Sequence, residues 1–321
     1  MSNTAESFTL FCRENGLVLD GPAIMDGRWH RVPVVDDKKH KKSGSYMGFE
    51  NGSCGWVTNF KGGAPAKWIL AKRETAEERK LRLMESRAYA ASARRRRKDA
   101  EEHAKARARD IWNHSRGHGY SNYILEKRID PRNVRFHMGL IVIPVYSYPG
   151  NLISLQFIDK FGTKNFLVGS KTKGGCCYIG DHSGSGPVVV CEGWATGCTI
   201  AQITGLPVCC TFSASNMIEW ARSQGWRYRG RKVIYAADDD RVTRVRMRKL
   251  HGPERSGKMV YGEEGAKAAS VILPGSVLLP SLKNCDINKG ATDFNDLMLL
   301  QGAEAVRVQF DRCLGNPSGV C

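Results

Sequence analysis

From residue 187 onward the chain alternates short apolar runs with helical stretches, and two of the apolar runs end directly in acids. PVVVC (187–191) leads into a helical stretch around 195–204, followed by LPVCC (206–210) and a helical stretch around 213–224. RKVIYAA (231–237), EEGAKAASVI (263–272), SVLLP (276–280) and a helix from about Phe294 to Leu300 complete the series. Alternation of this kind predicts an α/β fold built on a parallel sheet, because parallel neighbours need a crossover between them. PVVVC runs straight into Glu192-Gly193, and RKVIYAA runs straight into Asp238-Asp239-Asp240. The carboxyl ends of neighbouring parallel strands face one crevice, where ligands bind. If these two strands are neighbours, Glu192 meets Asp238 and Asp240 there, and the two-residue strand period turns Asp239 away. Clustered carboxylates repel unless a cation lies between them, and Mg2+ and Mn2+ take all-oxygen ligands. Such a set suits two-metal phosphoryl transfer, in which one ion activates a hydroxyl and the other steadies the leaving phosphate. An acidic turn is the plain alternative for Asp238–Asp240 taken alone. It loses ground once Glu192 ends a second strand.

Charge points the same way. Lys plus Arg number 49 and Asp plus Glu 32, a net +17, and an excess of that size favours a polyanion such as nucleic acid as partner. With 41% hydrophobic and 9% aromatic residues the chain has material for buried cores. No apolar run approaches the roughly 18 residues of a membrane span. The start, MSNTAESFTL, lacks a basic region followed by an apolar stretch, so a cytoplasmic protein is expected. Eleven Cys without CxxC spacing read as reduced thiols rather than a disulfide framework.

Ahead of the alternating region lie three further stretches. Residues 1–70 hold GRWHRVPVV, GSYMGFENG and CGWVTNFKGG, broken by Gly, which predicts a small antiparallel sheet with DDKKHKKSG (36–44) as a basic hairpin loop. Trp29, His30, Tyr46, Phe49, Trp56 and Trp68 serve there either as a small core or as a base-stacking surface. Residues 73–112, within a linker at 71–116, lack Gly and Pro and form one long helical pattern with a thin apolar stripe. Its Arg94, Arg95, Arg96 and Arg97 are candidates for phosphate contact, although most charge runs are simply solvated. Residues 117–186 contain a short helix and turn at 118–134. The strand-like LIVIPVY (140–146), LISLQFID (152–159) and NFLVG (165–169) follow, with a Gly-Asn hairpin signal at 150–151. Lys164, Lys171, Lys173 and Lys289 are candidates for nucleotide or DNA contact.

These residues carry a resemblance. Glu-Gly after one apolar strand, Asp-x-Asp after a later one and a third acidic cluster downstream resemble the Toprim domain of primases, topoisomerases and some nucleases. EGWATG (192–197) is similar to the EGYATA motif of plasmid and phage primases, with Trp194 for Tyr and Gly197 for the final Ala. ATDFNDL (291–297) resembles the DFNDL element that follows the acids in phage-type primases. The resemblance implies a Toprim catalytic domain over 187–305, a basic-groove subdomain over 117–186, a zinc-ribbon-like but Cys-poor DNA-binding domain over 1–70 and a tail over 306–321. It implies a primase making short RNA from ribonucleoside triphosphates on single-stranded DNA with Mg2+ or Mn2+. Glu192 would be general base or metal-organising acid, Asp238 and Asp240 metal ligands, and Asp293 and Asp296 secondary acids at the rim, with Glu192 and Asp293 also counted among the metal-binding acids. The isolated Cys12 and Cys54 lead to an expectation of no zinc. A replicative helicase would be a separate protein.

Rival readings are a Toprim nuclease that activates water with the same acids, and a non-catalytic single-strand-binding accessory protein. Absence of a domain around a transesterifying Tyr counts against a topoisomerase. The basic stretch 241–262 either clamps nucleic acid or is a tolerated surface loop. GPERSGKM (252–259) departs from a P-loop at Met259 and follows no buried strand. Cys176, Cys177, Cys191, Cys198, Cys209, Cys210 and His182 are read as structural.

Overall fold

The structure, a computed structural model, describes residues 3–38, 40–49, 54–62, 64–69, 76–257 and 259–315. It divides into two compact units, Met1–Arg96 and Arg97–Cys321. Among the described residues no helix is long and apolar enough to cross a membrane.

In the first unit, helix α1 (Asn3–Glu14) accompanies four strands, β1 (His30–Val32), β2 (Gly44–Gly48), β3 (Cys54–Asn59) and β4 (Ala66–Ile69). The strands pair antiparallel in sequence order, as the Gly-punctuated apolar pieces lead one to expect. Phe8, Cys12, Leu17, Val34, Tyr46, Val57 and Trp68 form the core. The six aromatics therefore split between the two roles: Tyr46 and Trp68 are buried, His30, Phe49 and Trp56 are half-buried, and Trp29 is exposed. The basic connection between β1 and β2 is held by Asp37, whose carboxylate accepts from Val34 N and Ser43 N and pairs with Lys61 at 3.0 Å. Lys39 of that loop lies outside the described residues.

Helix α2 (Ala76–His114) runs 39 residues, and residues 73–75 of the expected helix fall outside the described ones. Arg94–Arg97 are exposed on it. Towards its end Ala108 is buried with Val142, Leu155 and Leu167, small residues there letting the helix lie close on the sheet it covers.

That sheet is antiparallel, β5 (Arg135–His137), β6 (Leu140–Ser147), β7 (Asn151–Ile158) and β8 (Lys164–Phe166), and follows a short helix α3 (Asn122–Lys127). The 150–151 signal falls at the β6–β7 turn, with Gly150 N donating to Ser147 O. A second sheet has the order β13-β12-β10-β11-β9, from β9 (Cys177–Ile179), β10 (Val188–Cys191), β11 (Val208–Cys210), β12 (Val233–Ala236) and β13 (Ser276–Leu278). All neighbours are parallel except β9, which pairs antiparallel with β11. Every residue of β10, β11 and β12 is buried, as expected of strands covered on both faces.

Helices cover both faces. On one, α4 (Trp194–Thr204), α9 (Phe294–Gln301) and α10 (Ala303–Gly315) share a core with Val189, Cys191, Val208 and Ile234. On the other, α5 (Ala214–Ser223), a 3-10 turn at Gly225–Tyr228 and α7 (Gly262–Ile272) pack on Val188, Val190, Cys209, Val233 and Tyr235. Between β12 and α7 the chain forms α6 (Arg241–Ser256), and before α9 comes α8 (Asn284–Asn288).

Three expectations need correction. Of the expected tail over 306–321, residues 306–315 belong to α10, which buries Val306, Phe310 and Cys313 at a three-to-four-residue spacing, and 316–321 lie outside the described residues. Residues 241–256 are helical rather than a loop, broken only where Gly252 takes a φ of 74°. Neither α1 nor the antiparallel edge β9 was expected, because NTAESFTLFCRE is poor in strong helix formers and CYI is too short to show a period.

One packing constraint bears on EGWATG. A Cβ at Gly197 would stand 2.3 Å from Cys210 Sγ, so the two sulfurs of Cys191 and Cys210 beneath α4 require glycine there. Gly197→Ala should lower stability to urea by about 1–3 kcal/mol through overpacking. Gly197→Ala combined with Cys210→Ala should recover most of it. Equal loss in the single and double variants would show that the collision is not the cause.

Candidate functional site

The order of the second sheet reverses at β10: the chain passes through α4 to β11 on one side and later returns through α5 to β12 on the other. That reversal opens a crevice at the carboxyl ends of β10 and β12. Cys191 and Ala236, the last residues of the two strands, are register partners, so Glu192 and Asp238 leave the sheet side by side. The strand adjacency on which the sequence argument depended is therefore present.

Two helix N-termini meet these acids. The Ala214 N–H, opening α5, counteracts the rise in proton affinity of the Glu192 carboxylate, and the Gly262 N–H, opening α7, donates to Asp240 Oδ2 at 2.9 Å. Amides and dipoles at helix starts favour negative charge and partly offset the mutual repulsion. Glycine at 262 is a steric necessity, since a Cβ there would lie 2.5 Å from Asp238 O and 2.9 Å from Glu192 Oε1. Neither Gly262 nor Ala214 stands out in the amino-acid order; the bare Gly following the 241–261 excursion is the one trace of the first.

The charges remain unbalanced all the same. Glu192 Oε1 and Asp238 Oδ1 are sealed from solvent and have no hydrogen-bond partner among the described residues. Burial, and then the Asp240 charge, push the Glu192 carboxyl up to about 7. Burial, and then the Glu192 charge, push Asp238 well above the usual carboxylate range. Lys164, at the start of β8, is a cation whose charge counteracts both shifts. Asp239 takes no part: Arg241 Nε sits 2.8 Å from its Oδ1 and Arg241 Nη2 2.7 Å from its Oδ2, which turns it away as the strand period predicts.

These features fit a divalent cation. An oxygen-only donor set with two orphaned buried oxygens and a raised proton affinity is what a hard cation relieves. Among the described residues no three His, Cys, Asp or Glu side chains are already drawn together around a point, in keeping with the repulsion among uncompensated carboxylates.

The downstream motif works differently from the expectation of rim acids. Asp293 Oδ1 caps α9 by accepting from Asp296 N, and its Oδ2 accepts from Thr196 Oγ1 at 2.8 Å. Its charge still raises Glu192 and Asp238, so it lies near the site with both oxygens engaged. Asp296 is a structural anchor, pairing with Lys127 at 3.2 Å and accepting from Thr292 N. Asn295 is buried and donates to Lys127 O and Thr199 Oγ1, pinning α9 to α3 and α4. Thr292 O in turn receives Asp239 N at 2.7 Å, which fixes the backbone that carries the acids.

The other cations are dispersed. Lys171, Lys173 and Lys289 are exposed, and Lys173 pairs with Glu219 at 3.2 Å. Cys209, for which no His partner was nameable in the sequence, lies 3.9 Å from His182 Nδ1 and 3.4 Å from Tyr228 Oη. It is fully buried, in keeping with a structural thiol. The P-loop-like 252–259 forms the broken end of α6 and the residues after it, and Lys258 lies outside the described residues.

Comparison with known proteins falls on the same residues. The chain is 26% identical over 271 residues to DNA primase TraC of Escherichia coli, covering 80% of this chain and 25% of that protein. A second Escherichia coli DNA primase TraC is 26% identical over 296 residues, 86% of this chain and 19% of the relative. The chain thus spans a quarter or less of the length of these curated relatives. The primase fragment of the bacteriophage T7 primase-helicase protein superposes with a TM-score of 0.38 at 18% identity, over 55% of this chain and 66% of that one. Toprim domains bind divalent metal ions. The Toprim family matches residues 187–304, which begin beside β10 and run through β12 and the Asp293 cap, and these residues of the chain are a Toprim domain.

Proposed function

We propose that this chain is a DNA primase of plasmid or phage type, joining ribonucleotides into short primers on single-stranded DNA. The observation that carries the reading is the pair of sealed, unpartnered carboxylate oxygens of Glu192 and Asp238 at the strand reversal, within a chain similar to DNA primase TraC over most of its length. Glu192, Asp238 and Asp240 would hold Mg2+ or Mn2+, with Asp293 beside them, and the ion would supply Lewis-acid stabilisation of charge on the attacking and departing oxygens.

The remaining work falls to side chains. Glu192 takes the proton of the 3′-hydroxyl as the hydroxyl oxygen bonds to the α-phosphorus and pyrophosphate leaves. Gly262 keeps the floor of the site free of a side chain. Lys164 supplies positive charge beside the reacting phosphates. Lys171, Lys289 and Arg94–Arg97 offer exposed cations to the DNA backbone, and template and nucleotides are met in the cytoplasm of the bacterial host.

Two outcomes follow. With single-stranded DNA, four ribonucleotides and Mg2+ or Mn2+, Glu192→Gln should cut primer synthesis by about 100-fold or more while leaving DNA affinity within about twofold. Full synthesis by the variant would remove Glu192 from the chemistry, and metal-dependent loss of DNA without RNA product would favour a nuclease.

The second concerns pH. The fold keeps a proton on Glu192 between its ordinary 4.5 and about 7, and the unfolded chain does not. Metal-free stability should therefore fall as pH rises through that window, by on the order of 3 kcal/mol more than in Glu192→Gln. Stabilisation by Mg2+ should grow over the same range, because the cation binds the ionised acids. Parallel pH curves for the two proteins would contradict the assignment of burial strain to Glu192.

A further inference from the structure

Between Asp240 and Gly262 the chain makes an excursion tied to the acid site at both ends. It leaves as α6, whose first turn is closed by Arg244 N donating to Asp240 O at 2.8 Å. It returns at Gly262, whose N–H donates to Asp240 Oδ2. Close to its root Arg244 pairs with Glu264 at 2.8 Å and lies 4.8 Å from the centre of the Tyr261 ring, a second tie between departing and returning segments. A cavity of about 190 Å³ opens there, lined by Asp239, Asp240, Arg241, Arg244, Tyr261 and Glu263.

The charge of this helix is one-sided. Residues 241–250 hold Arg241, Arg244, Arg246, Arg248 and Lys249 and no acid. Arg241 and Arg244 are spent on Asp239 and Glu264. Arg246, Arg248 and Lys249 are exposed and make no ion pair with a described carboxylate, so about 5 Å of helix near the end of the arm presents uncompensated cations to solvent. Val245 and Leu250 are exposed among them, 54% and 62% accessible, and offer apolar surface to bases. Gly252 then ends the basic arm at its break.

We propose that the first arm of α6, residues 241–250, is a clamp for single-stranded DNA beside the acid site, gripping its phosphates through Arg246, Arg248 and Lys249. The strand is the chosen occupant because the arm is rooted at both ends on Asp240, through its backbone oxygen and its carboxylate, beside the reacting phosphates, a position that follows from the primase reading of the site. Phosphate binding by exposed cations needs no further pocket, and counterion release makes it salt-dependent. The arm raises the local concentration of template and leaves the chemistry to the acids.

The test uses the full chain and a fluorescent oligothymidylate, read by anisotropy across a salt series. The variant Arg246→Ala/Arg248→Ala/Lys249→Ala should bind about tenfold or more weakly at low salt, with the slope of log K against log salt reduced by about 2. Arg246→Lys/Arg248→Lys should keep the wild-type slope, and Glu192→Gln should keep wild-type affinity. Primer yield of the triple variant should fall at limiting template and recover with excess. Unchanged affinity and slope in the triple variant would overturn the clamp. So would unchanged DNA affinity with loss of binding to phosphatidylglycerol vesicles, which would assign the arm to an anionic lipid surface. If the wild type makes no primer under any condition, the primase reading fails, and the anisotropy arms still decide the clamp.

Discussion

Carboxylates crowded at the ends of two adjacent parallel strands repel one another, and the rest of the Toprim half is arranged around that repulsion. The strand reversal at β10 delivers Glu192 and Asp238 to one crevice because Cys191 and Ala236 end their strands in register. Burial then raises the proton affinity of both acids. Two helix starts, at Ala214 and Gly262, bring amide donors to the cluster, and Lys164 adds a positive charge from the antiparallel sheet. These contributions reduce the imbalance without removing it, since one buried oxygen on each of Glu192 and Asp238 stays unpaired. A site in which local protein donors stop short of satisfying buried carboxylates is one suited to a cation.

The downstream motif secures this arrangement from behind. Asp293 caps α9 and holds Thr196 of α4, Asn295 bonds α3 and α4, and Asp296 pairs with Lys127. Thr292 takes the Asp239 amide, so the segment carrying the acids is tied to α9 through the backbone as well. Rigid support of this kind is what a site for oriented phosphoryl chemistry needs. The same crevice sends out the basic arm of α6 and takes the chain back at Gly262, so both ends of that excursion are anchored on Asp240.

Much of this was legible in the amino-acid order for physical reasons. Valine-rich runs covered on both faces have no polar face to disguise them, and acids directly after such runs have one place to go. Asp239 turning away followed from the strand period alone. What escaped was decided by tertiary contact. The edge β9 is three residues long and exists through its pairing with β11. Helix α10 was hidden in AEAVRVQFDRC, whose three buried residues matter only because α4 and α9 stand opposite. Asp293 and Asp296 read as two more loose acids, and their identity as a cap and an ion-pair anchor depended on Thr196 and Lys127, 97 and 169 residues away. The pairing of Lys173 with Glu219 was likewise not readable from the order.

The central claim is that Glu192 and Asp238 hold a divalent cation, and Mn2+ binding followed by electron paramagnetic resonance tests it most directly. Free Mn2+ signal should be lost on titration with wild-type protein, more strongly at pH 8 than at pH 5.5, and Asp238→Asn should weaken binding by about tenfold or more. Equal Mn2+ affinity in the wild type and Asp238→Asn, or affinity that does not change with pH, would contradict it.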